Sequence, residues 1–166
     1  MTPQRRLVLL RHAKSDWSTE LPDDQRPLAP RGRREAPRAG RWLRGHVDHI
    51  DLVLCSPATR ARTTWELAAA ELADPALADT PPVRLDPEVY AASAGTLQAL
   101  VHGLPDEAQT VVLVGHNPAI ENLITVLTGE EWTMKTSSIA VISWPGSWSD
   151  AEPANARLEA RATPRA

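Results

Sequence analysis

Two histidines and two arginines carry the chemistry that this sequence can offer. Arg11-His12 directly follows the apolar run Leu7-Val8-Leu9-Leu10, Arg60 lies in Ser56-Pro57-Ala58-Thr59-Arg60-Ala61, and His116 lies in Gly115-His116-Asn117. Arginine presents a planar fork of N–H donors that matches phosphate oxygens, and it stays charged at any working pH. A neutral imidazole can attack phosphorus, and nearby guanidiniums disfavour its protonation. Together these types describe a phosphate site, with His12 as nucleophile and Arg11 and Arg60 as the anion clamp. His116 then binds a phosphoryl oxygen as charge shifts in the transition state. Gly115 permits close backbone approach, and Asn117 stands beside it. Lys14 and Ser15 read equally well as supporting donors or as plain loop residues.

Residues so far apart in the chain can meet only if a sheet delivers them to one edge. Residues 7–10, 51–55 and 110–114 are apolar runs of the kind expected for strands covered on both faces, and each ends at one of these polar motifs. Residues 31–46 read as an amphipathic helix with Ala36, Ala39, Trp42 and Leu43 on one face, although Pro37 fits its interior poorly. A second helix spans 59–72 with Ala61, Trp65, Ala68, Ala69 and Leu72 inward, and a short one spans 96–102. Pro118 suits the first turn of a helix reaching Leu127. The helices opening near Ala58 and Pro118 point positive dipole ends at the same edge.

Val83–Leu85 and Ile139–Trp144 add strands, and the alternation over 156–162 fits a last edge strand. Strands alternating with helices predict an α/β fold, a three-layer α/β/α sandwich around a mostly parallel central sheet. Ligands bind such sheets beyond the carboxyl ends of the strands. All 166 residues fit one domain, with 16–30 a polar loop near the active edge and 145–156 a surface loop.

Composition removes several function classes. The net charge of −3 gives no overall field for nucleic acid, so anion binding must come from a local cluster. The single cysteine, Cys55, rules out a disulfide framework or a Cys-rich zinc site and fits a reducing cytoplasm. The basic start Met1-Thr2-Pro3-Gln4-Arg5-Arg6 precedes an apolar run too short for a signal sequence or a membrane span. The expectation is a cytoplasmic protein, a monomer in the absence of any heptad or long apolar edge, with no membrane or nucleic-acid partner.

Taken in order, four segments carry a resemblance. Arg11-His12-Ala13-Lys14-Ser15, Leu28-Ala29-Pro30-Arg31-Gly32-Arg33-Arg34-Glu35-Ala36, Ser56-Pro57-Ala58-Thr59-Arg60-Ala61-Arg62-Thr63-Thr64 and Val114-Gly115-His116-Asn117-Pro118 are similar to motifs of the histidine phosphatase superfamily. That superfamily has the phosphoglycerate mutase-like fold, and within it the chain resembles the SixA-type phosphohistidine phosphatase branch. The resemblance implies transient phosphorylation of His12, with Arg11, Arg60 and His116 holding the phosphoryl group until water releases phosphate. It implies a phosphatase with no metal and no cofactor, acting on a phosphohistidine-bearing protein. A small phosphorylated substrate is the alternative, and a non-catalytic phosphate or phosphoprotein binding module a third reading. Many superfamily members protonate the leaving group with a glutamate after the third strand. Glu88, in Leu85-Asp86-Pro87-Glu88-Val89-Tyr90, falls near that place, and Asp16 is a second candidate. Short connections leave an open site, which favours a phosphate displayed on a protein.

Other polar residues have plainer readings. Arg62 is expected in solvent, and His46, Asp48, His49 and Asp51 are expected to be exposed rather than metal ligands. His102 reads as a helix-end or surface residue, Cys55 as an inert core thiol, and Ser137-Ser138 as the start of a strand. Trp132, Trp144 and Trp148 read as core or rim packing.

Overall fold

In the computed structural model, which describes residues 4–72 and 80–165, β1 (Gln4–Arg11) runs through the middle of a six-stranded sheet. The other strands are β2 (Leu52–Cys55), β3 (Val83–Leu85), β4 (Thr110–Gly115), β5 (Ile139–Pro145) and β6 (Arg157–Ala162), in spatial order β3-β2-β4-β1-β5-β6. The pairs β1–β4, β2–β4 and β2–β3 are parallel. β5 is antiparallel to β1, and β6 to β5. The sheet is therefore mixed: its four parallel strands need helical crossovers, while β6 returns beside β5 without one.

The helices are α1 (Pro30–His46), α2 (Thr59–Leu72), the single turn α3 (Pro87–Tyr90), α4 (Ala94–His102) and α5 (Ala119–Thr128). Side chains alternate across β1, so Leu7 and Leu9 share one core with Leu97, Val101, Ile120 and Leu123 of α4 and α5. Val8 and Leu10 share the opposite core with Ala39, Leu43, Ala61 and Trp65 of α1 and α2. Both faces are covered, which is why these strands are apolar throughout instead of alternating. Each such buried Val or Leu contributes roughly 1.5–3 kcal/mol relative to exposure.

α1 continues unbroken past Pro37, which deprives the Arg33 carbonyl of its usual helical donor. Its glycines explain how closely it packs. A Cβ at Gly32 would overlap the carbonyl oxygen of Lys14, and one at Gly40 that of Ala68. The helix thus rests its backbone on the loop after β1 and on α2, fixing the segment that follows Arg11.

Two side chains in polar stretches are drawn into the interior, Trp148 as the reading of core or rim packing expects. Arg5 is buried, and its guanidinium donates to the carbonyls of Gly146 (2.9 Å), Asp106 (2.8 Å) and Ala108 (2.7 Å). The preceding residues 1–3 of that basic start lie outside the described residues. The 145–156 loop carries Trp148 into the core, where its indole N–H donates to Ala108 at 2.8 Å and its ring meets Trp144 edge-on at 5.4 Å. An apolar anchor of that size overrides the polar composition around it.

The remaining polar residues serve local structure. His46 stacks on Trp42 and shares a 2.7 Å hydrogen bond with its carbonyl, while His49 pairs with Asp51 at 3.1 Å. Asp51 also accepts from the N–H groups of Gln109 and Thr110, each at 2.9 Å. Arg62 is exposed and donates to the Pro57 carbonyl, and His102 approaches Ala151 O at 3.4 Å. Burial pushes the Cys55 thiol up to about 12, so at neutral pH it stays protonated and unreactive. Among the described residues no helix is long and apolar enough to cross a membrane.

Candidate active site

The strand register does what the sequence requires of it. Arg11 pairs with Gly115, and Cys55 with Val114, so three strands end at one level. The next residues stay tied together: His12 N–H donates to Gly115 O at 3.2 Å, and Ser56 N–H to Val114 O at 3.1 Å. The rings of His12 and His116 lie 5.1 Å apart. Together with Arg11 and Arg60 they line a pocket of about 240 Å³, and Lys14, Ser15 and Asn117 share its wall. Thr64, on α2, fastens the arrangement. Its hydroxyl accepts from Ala13 N–H at 2.9 Å and donates to Arg60 O at 2.7 Å, coupling the first motif to the second.

His12 is only 7% exposed. Its Nδ1 lies 2.8 Å from the Ala13 carbonyl, which can only accept, so Nδ1 carries the proton and Nε2 the lone pair. Burial lowers its pKa to about 3, with His116, Arg60 and Arg11 adding to the shift against the opposing Ala13 hydrogen bond. His116 is lowered to about 4, again chiefly by burial and then by Arg60. Its Nε2 is 2.7 Å from Ser56 Oγ, which also accepts from Ala58 N–H. Both rings are neutral at pH 7.

A stability cost on acidification follows. An unfolded histidine takes up a proton near pH 6.5, whereas folded His12 refuses it until about pH 3. The unfolded state binds more protons in that window, so stability is full above pH 6.5 and falls as pH drops towards 3. Denaturant unfolding at pH 7 and pH 5 should show His12→Asn losing on the order of 2 kcal/mol less stability than wild type over that interval. Equal losses in the two proteins would mean that His12 titrates normally in the fold.

The arginines are held by a loop that sequence reasoning treated as a simple connection. Asp23, in a short 3-10 turn at 23–25, receives Arg60 twice: Nη1 donates to its carbonyl at 2.6 Å and Nη2 to Oδ2 at 3.0 Å. Arg26 donates from Nε to Asp23 Oδ1 at 3.1 Å and from Nη1 to Ser15 Oγ at 2.9 Å. The Tyr90 hydroxyl, from α3, donates to Asp23 Oδ2 at 2.5 Å. That hydrogen bond, with Arg60 and Arg26, holds the Asp23 carboxyl well below the usual range. Arg11 is anchored to Met134 O at 2.9 Å, and Asn117 Nδ2 donates to the same carbonyl. Arg11, Lys14, Arg26 and Arg60 thus face a single carboxylate among the lining residues, a positive cluster in a chain of net charge −3.

Buried polar atoms without a partner among the described residues gather here: Arg11 Nε, Arg60 Nε, His116 Nδ1 and Asn117 Oδ1. Each unpaired group costs roughly 1–3 kcal/mol, so their clustering in one pocket marks a place built to receive a polar ligand.

Residues 7–98 match the family model of the histidine phosphatase superfamily, branch 1. The chain belongs to that family. An uncharacterised protein of Mycobacterium tuberculosis (strain ATCC 25618 / H37Rv) is 39% identical, over 94% of this chain and 100% of its own. An uncharacterised chloroplastic protein of Arabidopsis thaliana is 31% identical, over 89% of this chain and 70% of its own. A structure from Nakamurella multipartitia, provisionally named as the phosphohistidine phosphatase SixA, aligns with TM-score 0.81 and 34% identity over 98% of both chains. The protein histidine phosphatase SixA in complex with tungstate aligns with TM-score 0.78 and 26% identity, over 96% of this chain and 97% of its own.

For this histidine phosphatase, the two expected proton donors lie elsewhere. Glu88 is exposed on α3 and does not line the pocket; the α3 residue that touches the site is Tyr90, which donates to Asp23 and meets the His116 ring edge-on at 5.6 Å. Asp16 accepts from the Ser18 hydroxyl at 2.6 Å and from its N–H at 2.8 Å, bonds that hold its carboxyl below the usual range. It too is absent from the pocket wall. Ser137 and Ser138 are buried just before β5, where Ser137 N–H donates to the carbonyls of Arg11 and His12 and Ser138 O accepts from Arg11 N–H. Thr136 beside them does reach the pocket. The residues missed were Trp17, Asp23, Arg26, Tyr90 and the clamp Thr64. For Trp17, Asp23 and Arg26 the available signal was a charged and aromatic loop directly after the first motif.

Proposed function

We propose that this histidine phosphatase is a phosphohistidine phosphatase that works through a phosphorylated His12, with no metal or cofactor. The single observation that carries the reading is the His12 ring: Nδ1–H is committed to Ala13, and Nε2 faces a pocket of arginines with its lone pair free. In the first step that lone pair attacks phosphorus. The bond from phosphorus to the substrate's ring nitrogen breaks, and its electron pair returns to that ring. An imidazole leaves readily once its other nitrogen is protonated from water, so no carboxylic acid is required beside it. Water then attacks phospho-His12, phosphate departs and Nε2 regains its lone pair.

The surrounding groups stabilise the charge. Arg11 and Arg60 supply fork donors to the phosphoryl oxygens. Ser56 Oγ, already accepting from Ala58, gives its own proton to His116 Nε2. The unpartnered His116 Nδ1 is then an N–H available to a third oxygen. The tungstate carried by the similar SixA structure is a tetrahedral oxyanion of the same shape, which supports a phosphoryl-sized pocket. A site at the sheet edge with one short loop beside it favours a phosphohistidine displayed on a partner protein.

The test is to trap the intermediate. Incubation with a radiolabelled phosphohistidine peptide, quenched in alkali and mapped, should place label on His12. Turnover of that peptide should exceed that of sugar phosphates and nitrophenyl phosphate, and chelators should leave it unchanged. A reversed preference would make the protein a small-molecule phosphomonoesterase. Tight phosphate binding without label would make it a binding module, and activity lost to a chelator but restored by a divalent ion would overturn metal independence.

A further inference from the structure

One lining residue has no role in holding phosphate. Trp17 is the sole apolar side chain among the residues of the pocket wall, and it is 71% exposed. Most of the indole stays open to solvent at the mouth of a charged pocket, where it can meet whatever carries the phosphoryl group. It is also held in place. The Arg26 guanidinium carbon sits 3.6 Å from the ring centroid, a cation–π stack that covers one face. Arg26 is itself buried and pinned by Ser15 and Asp23. On either side of Trp17 the backbone is fixed, because Ser18 N–H donates to Asp16 Oδ1 and Asp16 N–H donates to Pro27 O at 2.9 Å.

We propose that Trp17 is a specificity residue: its exposed indole surface is the platform on which a planar leaving group stacks while its phosphoryl group sits among Arg11, Arg60 and His12. This rests on the phosphatase reading above and deepens it by naming what the site selects. A phosphoryl group attached to a flat heteroaromatic ring gains the stack, whereas one attached to a small aliphatic or amino group does not. The pinned Arg26 keeps the platform in place before substrate arrives, so no ordering cost falls on binding. The chemistry selected is a phosphorylated imidazole or a similar ring.

Calorimetry on the full chain decides this without turnover, using inorganic phosphate, methylphosphonate and a hydrolysis-resistant triazolyl phosphonate. Wild type should bind the triazolyl ligand roughly three- to tenfold more tightly than methylphosphonate, the range of one aromatic stack. Trp17→Ala and Trp17→Leu should erase that difference while holding phosphate affinity within about twofold, and Trp17→Phe should keep most of it. Because Trp17 is exposed, these variants keep the core intact. A preference that persists in Trp17→Ala, or that wild type lacks, overturns the proposal. So does a loss of affinity equal for all three ligands, which would mean that Trp17 acts only through Arg26. In parallel, hydrolysis of phosphohistidine should suffer in Trp17→Ala and that of phosphoramidate, which releases ammonia, should not. Wild type that shows the binding preference but hydrolyses neither compound would refute the phosphatase reading and leave the platform standing.

Discussion

Replacing His12 with alanine should abolish phosphate release and leave the protein without label after exposure to a phosphohistidine donor. The expected loss is roughly 10⁴- to 10⁶-fold, the scale seen when an enzyme loses its nucleophile. Among the two pocket imidazoles, His116 Nε2 is engaged by Ser56, while His12 Nε2 has its partner-free lone pair set by the opposite nitrogen. Burial and the arginines keep that lone pair unprotonated throughout the working range, at a pKa of about 3. The His12→Asn variant keeps a polar group near Ala13 and separates lost chemistry from lost structure. Rapid-quench assays that find more than about one per cent of wild-type turnover in both variants, or label on His116 in wild type, would assign the nucleophile elsewhere.

Arg60→Ala should cost about 2–4 kcal/mol of transition-state stabilisation, by analogy with other anion-hole donors, and that is some 30- to 1000-fold in kcat/KM. Two effects add here. The fork that serves the phosphoryl oxygens disappears, and Asp23, though still held by Arg26 and Tyr90, loses one of its two cationic partners while remaining a carboxylate beside them. Arg60→Lys should recover little, because an ammonium cannot reproduce two parallel donors. Asp23→Asn alone should tighten vanadate binding, since the carboxylate holds guanidinium N–H groups that a five-coordinate phosphorus mimic needs. The double variant Arg60→Ala/Asp23→Asn should then be less impaired than the sum of the single effects predicts, a coupling that a double-mutant cycle measures directly. Turnover of Arg60→Ala within twofold of wild type would remove Arg60 from the clamp. Strict additivity in the cycle would mean that Asp23 and the phosphoryl group do not share it.

Much of this protein is readable along the chain, and particular residues show why. The apolar runs at 7–10, 51–55 and 110–114 became β1, β2 and β4 with ends displaced by at most a few residues. A strand buried on both faces leaves a local signature that needs no partner to be recognised. The polar dipeptides that close those strands identified His12, Arg11 and His116, and the motif after β2 identified Arg60. Parallel pairing then left those residues only one edge on which to meet. The burial of Arg5 was not legible, since it depends on a carbonyl 141 positions away, at Gly146.

The fold class and the four side chains at the pocket's centre were legible along the chain, because strand periodicity and residue chemistry are local properties. How those side chains are armed depends on the folded arrangement. It set the His12 tautomer through Ala13, laid Asp23 across Arg60 from 37 positions away and brought Tyr90 onto Asp23 from 67. It also moved the pocket's carboxylate from Glu88 or Asp16 to Asp23, and put an indole at the rim. Such contacts join elements whose spacing in space is fixed by packing, and no pattern along the chain encodes the distance between them.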